Sequence, residues 1–291
     1  MNRVLRRTVR LLLPVLLGLC CFCRASAEVF LNAEKPADWE ERDLLKVIFT
    51  EETTDEAILV QCGGKNMLVD GGTGPYWPRY LPWLESQGIT HVEIMYNSHP
   101  HYDHLECQMR LIQHGLTADV FLSPFPEGYR NVLQKKMVPV LKEYGIPYQQ
   151  LMPDEPFGFG GAQVVMYRWP EGKDPNSLSG TLFITFGNAK ILIPADADGR
   201  AQHYLTKHYG EEGLKCDILK VPHHGIIPMV KEFLPTVQPE FAVFTSASQS
   251  TKKAVAQLEK YDIPYLHTSA GTIFCETDGT DWYVTQIAGL L

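Results

Sequence analysis

A four-layer αββα sandwich is the architecture this sequence predicts, and three observations predict it. Strands followed by helices occur in the first half of the chain and again in the second. That order arises when two β-sheets each carry helices on their outer face. Hairpin signals are too frequent for a doubly wound parallel sheet. No G-x-G-x-x-G follows the first strand, which removes the dinucleotide-binding version of such a sheet.

The elements follow in order. Leu44–Thr50, Ala57–Cys62 and Asn66–Gly72 read as a strand and then a hairpin, with "CGGKN" as its turn. The stretch "YWPRYLPWLESQG" reads as a helix broken by prolines and ending at Gly88. "HVEIMYNS" is an apolar strand. "LECQMRLIQHG" has helical periodicity, with a start near Leu105, and "NVLQKKMVPVLKEYG" is a second amphipathic helix ending at Gly145. Three strands follow, "AQVVMYRW", "TLFITFG" and "AKILIPAD". The last part alternates: strand "CDILKVPHHG", helix "MVKEFLPTV", strand "EFAVFTS", helix "TKKAVAQLEKYD", strand "PYLHTS". "GTIFCETDG" and "WYVTQI" close the chain as a hairpin.

The 291 residues, 45% hydrophobic, suffice for one sizeable core. The first 27 are set aside. Arg3, Arg6, Arg7 and Arg10 precede an apolar run of 13 residues, Leu11–Cys23, too short to span a bilayer comfortably. "ASA" at Ala25–Ala27 supplies a signal-peptidase site. The expectation is export with cleavage after Ala27, a single domain over 28–291, a secreted, periplasmic or cell-envelope location, and no membrane span in the mature chain. A membrane anchor and a lipoprotein are the weaker readings, since Leu19 precedes Cys20.

Residues 1–27 hold five of the 26 basic residues, leaving 21 against 34 acidic and a net charge of −13. Long nucleic acid is disfavoured as a partner, because its binders cluster Lys and Arg to displace counterions. Cys62, Cys107, Cys216 and Cys275 remain without a C-x-x-C pair. That count permits one or two bridges and argues against a thiolate zinc knuckle.

The chemistry concentrates in "NSHPHYDHLE", Asn97–Glu106. Three of the chain's ten histidines and an aspartate fall between His99 and His104. Imidazoles and a carboxylate converging at the end of a strand suit Zn²⁺, with Mn²⁺ or Fe²⁺ as alternatives. Four candidate ligands from one loop exceed one ion's need, so two adjacent divalent ions are the natural reading. Distant partners follow from other strand ends. Asp196, after "ILIPA", must be paired or metal-bound if buried. A helix N-cap after Gly199 is its competing role, and Asp198 could substitute for it. His223 and His224 end another strand. Neighbours on a strand point opposite ways, so only one of the two is expected to be a ligand. Asp70, in "LVDGG", is placed behind a metal-bound imidazole to orient it.

This H-x-H-x-D-H motif, with "VDGG" upstream and later strands ending in Asp and His, resembles the metallo-β-lactamase-fold superfamily of metal hydrolases. The likeness runs from Leu44 to Ile287. "N-x-x-S-G-T-L" (Asn176–Leu182), "LKVPHHG" (Leu219–Gly225) and "GTIFCETDG" (Gly271–Gly279) are similar to the hydrolase domain of ComEC-type DNA-uptake channels and related secreted proteins. The resemblance implies a metal-dependent hydrolase acting on a small-molecule or phosphodiester substrate. It implies that His99 and His101 bind a first metal, that Asp103 and His104 bind a second, that Asp196 bridges, and that His224 completes the set. Asp103 and Asp196 are then the groups expected to handle protons.

Two departures accompany the resemblance. The family places another histidine between the motif and the bridging aspartate. Here only His114 lies in that interval, in the helix after the motif, and Asn176 occupies the family position. The His-Pro of the ComEC branch is absent from "TSASQSTKKA". Lys220 and His267 are accessory candidates. Lys220 is read as a phosphate partner or a solvated strand end, and His267 as a cleft or a structural residue. Gln149–Gly161 is a candidate rim loop or a plain connector. Hydrolysis of another bond (lactone, β-lactam or thioester) and a metal-binding envelope protein with a degraded site are the rival functions, since fold alone does not choose chemistry.

Overall fold

The computed structural model describes residues 27–291; the expected signal peptide lies outside the described residues apart from Ala27. Its strands are β1 (Val29–Leu31), β2 (Leu45–Phe49), β3 (Ala57–Cys62), β4 (Lys65–Asp70), β5 (His91–Tyr96), β6 (Thr117–Ser123), β7 (Tyr148–Gln150), β8 (Phe157–Phe159), β9 (Ala162–Tyr167), β10 (Thr181–Phe186), β11 (Ala189–Ile193), β12 (Ile218–Lys220), β13 (Phe241–Phe244), β14 (Tyr265–His267), β15 (Thr272–Thr277) and β16 (Trp282–Ile287). The helices are α1 (Trp77–Ser86), α2 (Tyr102–Gln113), α3 (Val132–Glu143), α4 (Gly199–Leu214), α5 (Phe233–Val237) and α6 (Lys252–Glu259).

The strands form two mixed sheets, ordered β1-β16-β15-β2-β3-β4-β5-β6-β7 and β14-β13-β12-β11-β10-β9-β8. Alternation along each strand sorts its side chains into two cores. Leu45, Val47 and Phe49 of β2, Met67 and Val69 of β4, Leu182 and Ile184 of β10, and Ile191 and Ile193 of β11 all enter the core between the sheets. Their neighbours face outward. Ile48 and Leu68 meet the layer that includes Leu84, Leu111 and Met137 from α1, α2 and α3. Phe183 and Leu192 meet Leu205, Phe233 and Leu258 from α4, α5 and α6. The result is the αββα sandwich. Among the described residues no helix is long and apolar enough to cross a membrane.

Several local expectations need correction. α1 is continuous, with Pro78 in its first turn and Pro82 inside it. α2 begins at Tyr102 and takes Asp103 and His104 into its first turn, with His101 as N-cap. The four cysteines are all buried free thiols. Gln149–Gly161 is a connector between the two sheets' edge strands. A Cβ on its Gly160 would stand 1.9 Å from the Cys62 carbonyl oxygen. That contact lies at the turn end of the β3–β4 hairpin, the opposite end from Asp70, so the Gly160 end of the segment lies away from the site.

Parallel pairing decides where the chemistry collects. β4 runs parallel to β5 in the first sheet, and β11 runs parallel to β12 in the second. The carboxyl ends of these strands lead directly to Asp70, His99, Asp196 and His223. Such strand ends are where α/β sheets ordinarily collect their sites.

Candidate metal centre

Asp70 anchors the first-sheet half of the site. It is fully buried at the end of β4 with φ +54°, a left-handed conformation that Asp tolerates better than most residues. Its Oδ1 accepts from the Ser98 amide at 2.8 Å and from Asn97 Nδ2 at 3.0 Å. Its Oδ2 accepts from Ser98 Oγ at 2.6 Å and lies 2.8 Å from His104 Nδ1. Ser98 Oγ, having donated to Asp70, accepts from His99 Nδ1 at 3.0 Å. One carboxylate therefore fixes two imidazoles with their Nδ1 atoms protonated and their Nε2 atoms turned inward. Gly71 lets this strand end reach α2: a Cβ there would lie 2.7 Å from Gln108 Cγ.

The second-sheet half is equally constrained. Asp198 caps α4 by accepting from the amides of Arg200 and Ala201, and it also accepts from Ser177 Oγ. The capping role thus falls to Asp198, and Asp196 is left for the site. Ala195, His223 and His224 have φ of +49°, +51° and +54°. Non-glycine residues in this region cost about 1–3 kcal/mol each and persist only where surroundings over-determine them. Here the His223 amide donates to the Ala195 carbonyl at 2.8 Å, and Ser246 Oγ donates to the His224 carbonyl at 2.6 Å. Gly225 packs so closely that a Cβ would meet the Phe244 ring at 2.3 Å.

Those conformations overturn the strand argument for the histidine pair. β12 ends at Lys220, and the pair lies in a tight turn over Pro222–Gly225. Consecutive left-handed residues send both rings to Asp196. His224 Nε2 lies 3.3 Å from Asp196 Oδ1, and His223 Nε2 lies 3.5 Å from Oδ2.

The two oxygens of Asp196 divide the cluster. Near Oδ1 stand His104 Nε2 at 3.3 Å and His224 Nε2, which is itself 3.5 Å from Asp103 Oδ2. Near Oδ2 stand His99 Nε2 at 3.6 Å and His223 Nε2, and His101 Nδ1 is 3.0 Å from His99 Nε2. His104 Nε2, His224 Nε2 and Asp196 Oδ1 are buried without a hydrogen-bond partner, despite their proximity. They converge on a point rather than on one another. A tetrahedron of ligands about 2.0–2.1 Å from its centre has edges of about 3.3–3.4 Å, the spacing seen here. The donor set therefore fits divalent ions: two positions share Asp196, in reach of zinc, manganese or iron chemistry.

Electrostatics agree with that fit at His99 and His101, while His104 must give up a proton to ligate. Burial holds His99 and His101 below the ordinary histidine range, so both are neutral and ready to ligate. For His104 burial acts the same way, but the charges of Asp196 and Asp70 outweigh it and raise the ring well above that range. Burial would raise Asp196, yet His104 and His224 hold it well below the usual carboxylate range. Asp103 and His223 form the open side, with side chains 18% and 20% exposed where His99, His104 and Asp196 are almost wholly enclosed.

The remaining candidates separate clearly. Lys220 is fully buried, ion-paired with Glu56 and bonded to the Ala195 carbonyl at 3.0 Å. It supports the Asp196 loop from behind, so neither the phosphate partner nor the solvated lysine describes it. Glu56 was not singled out from sequence. It nears the cluster of His104, Asp196 and His224, but from the Nδ1 side of His224 at 3.9 Å. Thr245 accepts from that same Nδ1 at 3.0 Å. His267 is structural, stacked on Phe244 at 4.5 Å with its Nδ1 donating to the Ser246 carbonyl. Asn176 lies in the loop before β10. Its carbonyl accepts from Ser179, and its buried Oδ1 makes no hydrogen bond.

No family model matches the chain. It is 23% identical to ComE operon protein 3 of Bacillus subtilis over 205 residues, 66% of this chain and 26% of that protein. It is 24% identical to competence protein ComA of Neisseria gonorrhoeae over 202 residues, 68% of this chain and again 26% of that protein. The likeness thus spans about a quarter of either curated relative. Among solved structures, the metallo-β-lactamase fold protein YhfI of Bacillus subtilis superposes with a TM-score of 0.55 at 12% identity, covering 80% of this chain and 100% of that one. The fold is therefore the metallo-β-lactamase fold.

Proposed function

We propose that this chain, a metallo-β-lactamase-fold protein, is an exported metal-dependent hydrolase that cleaves small phosphodiesters. The observation that carries the metal reading is the set of buried, partnerless atoms on His104, His224 and Asp196, spaced as ligands around a shared centre. His99, His101 and Asp196 would hold one ion, and Asp103, His104, His224 and Asp196 the other. Bound there, divalent ions would supply Lewis acidity and an ionised water near neutral pH.

The side chains do the rest. Asp196 would join the two positions, since Oδ1 faces His104 and His224 and Oδ2 faces His99 and His223. Asp70 keeps the Nε2 lone pairs of His99 and His104 directed inward. Asp103, on the open side, would turn Oδ2 to the second ion beside His224, leaving its other carboxylate oxygen to exchange a proton with an attacking and then a leaving group. The enclosure of His99, His104 and Asp196 keeps bulk water from the far side.

The phosphodiester reading rests on the resemblance of the Asn176–Leu182, Leu219–Gly225 and Gly271–Gly279 stretches to the hydrolase domain of ComEC-type DNA-uptake channels, and the net charge of −13 over residues 28–291 disfavours long nucleic acid. Export itself rests on the charge and apolar pattern of residues 1–27. An assay panel tests the reading: bound metal per chain, then bis-p-nitrophenyl phosphate, p-nitrophenyl phosphorylcholine, single-stranded DNA and nitrocefin, with wild type and His101→Ala. Phosphodiester turnover that the variant loses supports it. Nitrocefin turnover alone would replace it with a hydrolase of another bond, and a metal-free, inactive protein would leave a binding role. Cell fractionation with N-terminal sequencing tests export.

A further inference from the structure

We propose that His223 is the third imidazole of the first metal position, replacing the family histidine that this chain lacks. The inference deepens the metal reading above and rests on it. His99, His101 and Asp196 lie within 4.8 Å of one another, an incomplete set of two nitrogens and one oxygen; His223 stands outside that distance and meets the set through Asp196 alone. His223 Nε2 approaches the same oxygen as His99, at 3.5 Å against 3.6 Å, while His224 takes the other oxygen. With His223 included, the first position has three nitrogens and one carboxylate oxygen, and the second has two nitrogens and two oxygens.

Backbone strain supports the assignment. Both His223 and His224 are left-handed, and the Asp196 loop joins them through Ala195 at φ +49°. The His223 side chain is 20% exposed and has no hydrogen-bond partner at Nδ1. An enclosed imidazole whose one directed contact is a carboxylate shared with other imidazoles has the environment of a ligand. Asn176, the residue at the family position, also has a buried Oδ1 without a hydrogen-bond partner, but it is an amide, a weaker donor than imidazole, and Asn176→Ala therefore belongs in the test.

The test compares wild type with His223→Gly, His223→Asn and Asn176→Ala. Gly and Asn are chosen because both tolerate the left-handed backbone at position 223. Each protein is titrated with Co²⁺, following the visible absorption bands, and bound Zn²⁺ per chain is measured after dialysis. Near-UV circular dichroism reports folding. The expected result is two ions in wild type. In both His223 variants one ion is bound with wild-type affinity, and the other at least about tenfold more weakly with a changed cobalt spectrum. Asn176→Ala retains both. Folded His223 variants that load both positions as wild type does would overturn the assignment, as would loss of an ion in Asn176→Ala alone. A wild type that binds no ion would overturn the metal reading itself, a different outcome from either.

Discussion

Replacing Asp70 with Asn tests how the site prepares its imidazoles. Asp70 receives four donors: the Ser98 amide and Asn97 Nδ2 at Oδ1, and Ser98 Oγ and His104 Nδ1 at Oδ2. The Asn amide has one oxygen and one NH₂. Its oxygen must take the Oδ1 place, because the Ser98 backbone N–H cannot reverse its role. The NH₂ then faces Ser98 Oγ and His104 Nδ1. His104 must accept at Nδ1 and carry its proton on Nε2, the atom 3.3 Å from Asp196. Ser98 must turn its proton towards His99, which drives the His99 proton to Nε2 as well. One ligand of each metal position is thereby blocked. Loss of such an outer partner weakens metal binding by about 10–100-fold, or about 1.4–2.7 kcal/mol per position. Competition against a chromophoric chelator measures the affinities, and nitrogen-15 NMR of the histidines reads the tautomers. Asn97→Ala is the control: it removes one donor and leaves the tautomers alone. A folded Asp70→Asn protein that binds both ions within about threefold of wild type would refute this account of Asp70.

Other consequences follow from the same contacts. In the metal-free protein His104 is held protonated by Asp196 and Asp70, so loading must expel a proton from it. Calorimetry in buffers of different ionisation heat should show about one proton released at pH 7, with affinity rising about tenfold per pH unit below the His104 pKa; no release would contradict the assignment. By the same linkage, the His104 contribution to metal-free stability is full below about pH 6.5 and fades as pH rises through its raised pKa. Lys220→Met leaves the Glu56 charge buried without its partner and should cost about 3–5 kcal/mol in urea unfolding, with much of the loss recovered in the Lys220→Met, Glu56→Gln double variant. Gly225→Ala places a Cβ 2.3 Å from Phe244 at φ +79° and should destabilise by more than about 1 kcal/mol while weakening the second metal position through His224; Gly225→Ala with native stability would show that the turn adjusts freely.

What could be read from the sequence, and what could not, divides along local and non-local lines. The paired strands were legible as apolar β-rich runs closed by turn residues, as in Leu45–Phe49 and the "CGGKN" hairpin turn, although Ile48 beside Val47 and Phe49 hides which face is which. β6 was not, because Thr117 and Asp119 put polar residues in its first half and only Phe121–Ser123 is buried. The H-x-H-x-D-H cluster was legible because its ligands are neighbours. Lys220 and Glu56 were not, because their pairing joins β12 in one sheet to the start of β3 in the other. Asp196 and Asp198 are both competent caps by residue type, and only the hydrogen bonds to Arg200 and Ala201 show which one caps.

The histidine pair carries the most weight in that contrast. Treating His223 and His224 as strand neighbours gave one inward ring, since alternation is what a strand enforces. Two consecutive left-handed residues abolish the alternation, and side-chain identity does not announce them. The consequence reaches the chemistry. With alternation the first metal position would lack a third imidazole and Asn176 would have to serve. With both rings turned to Asp196, one per oxygen, a single tight turn would serve both positions under the proposed assignment. A site assembled this way should lose its two ions in a linked order: displacing Asp196 or the turn disturbs both positions at once, whereas removing His101 disturbs one. Metal loading of Asp196→Asn against His101→Ala separates these cases, and equal losses in the two variants would mean that Asp196 does not join the positions.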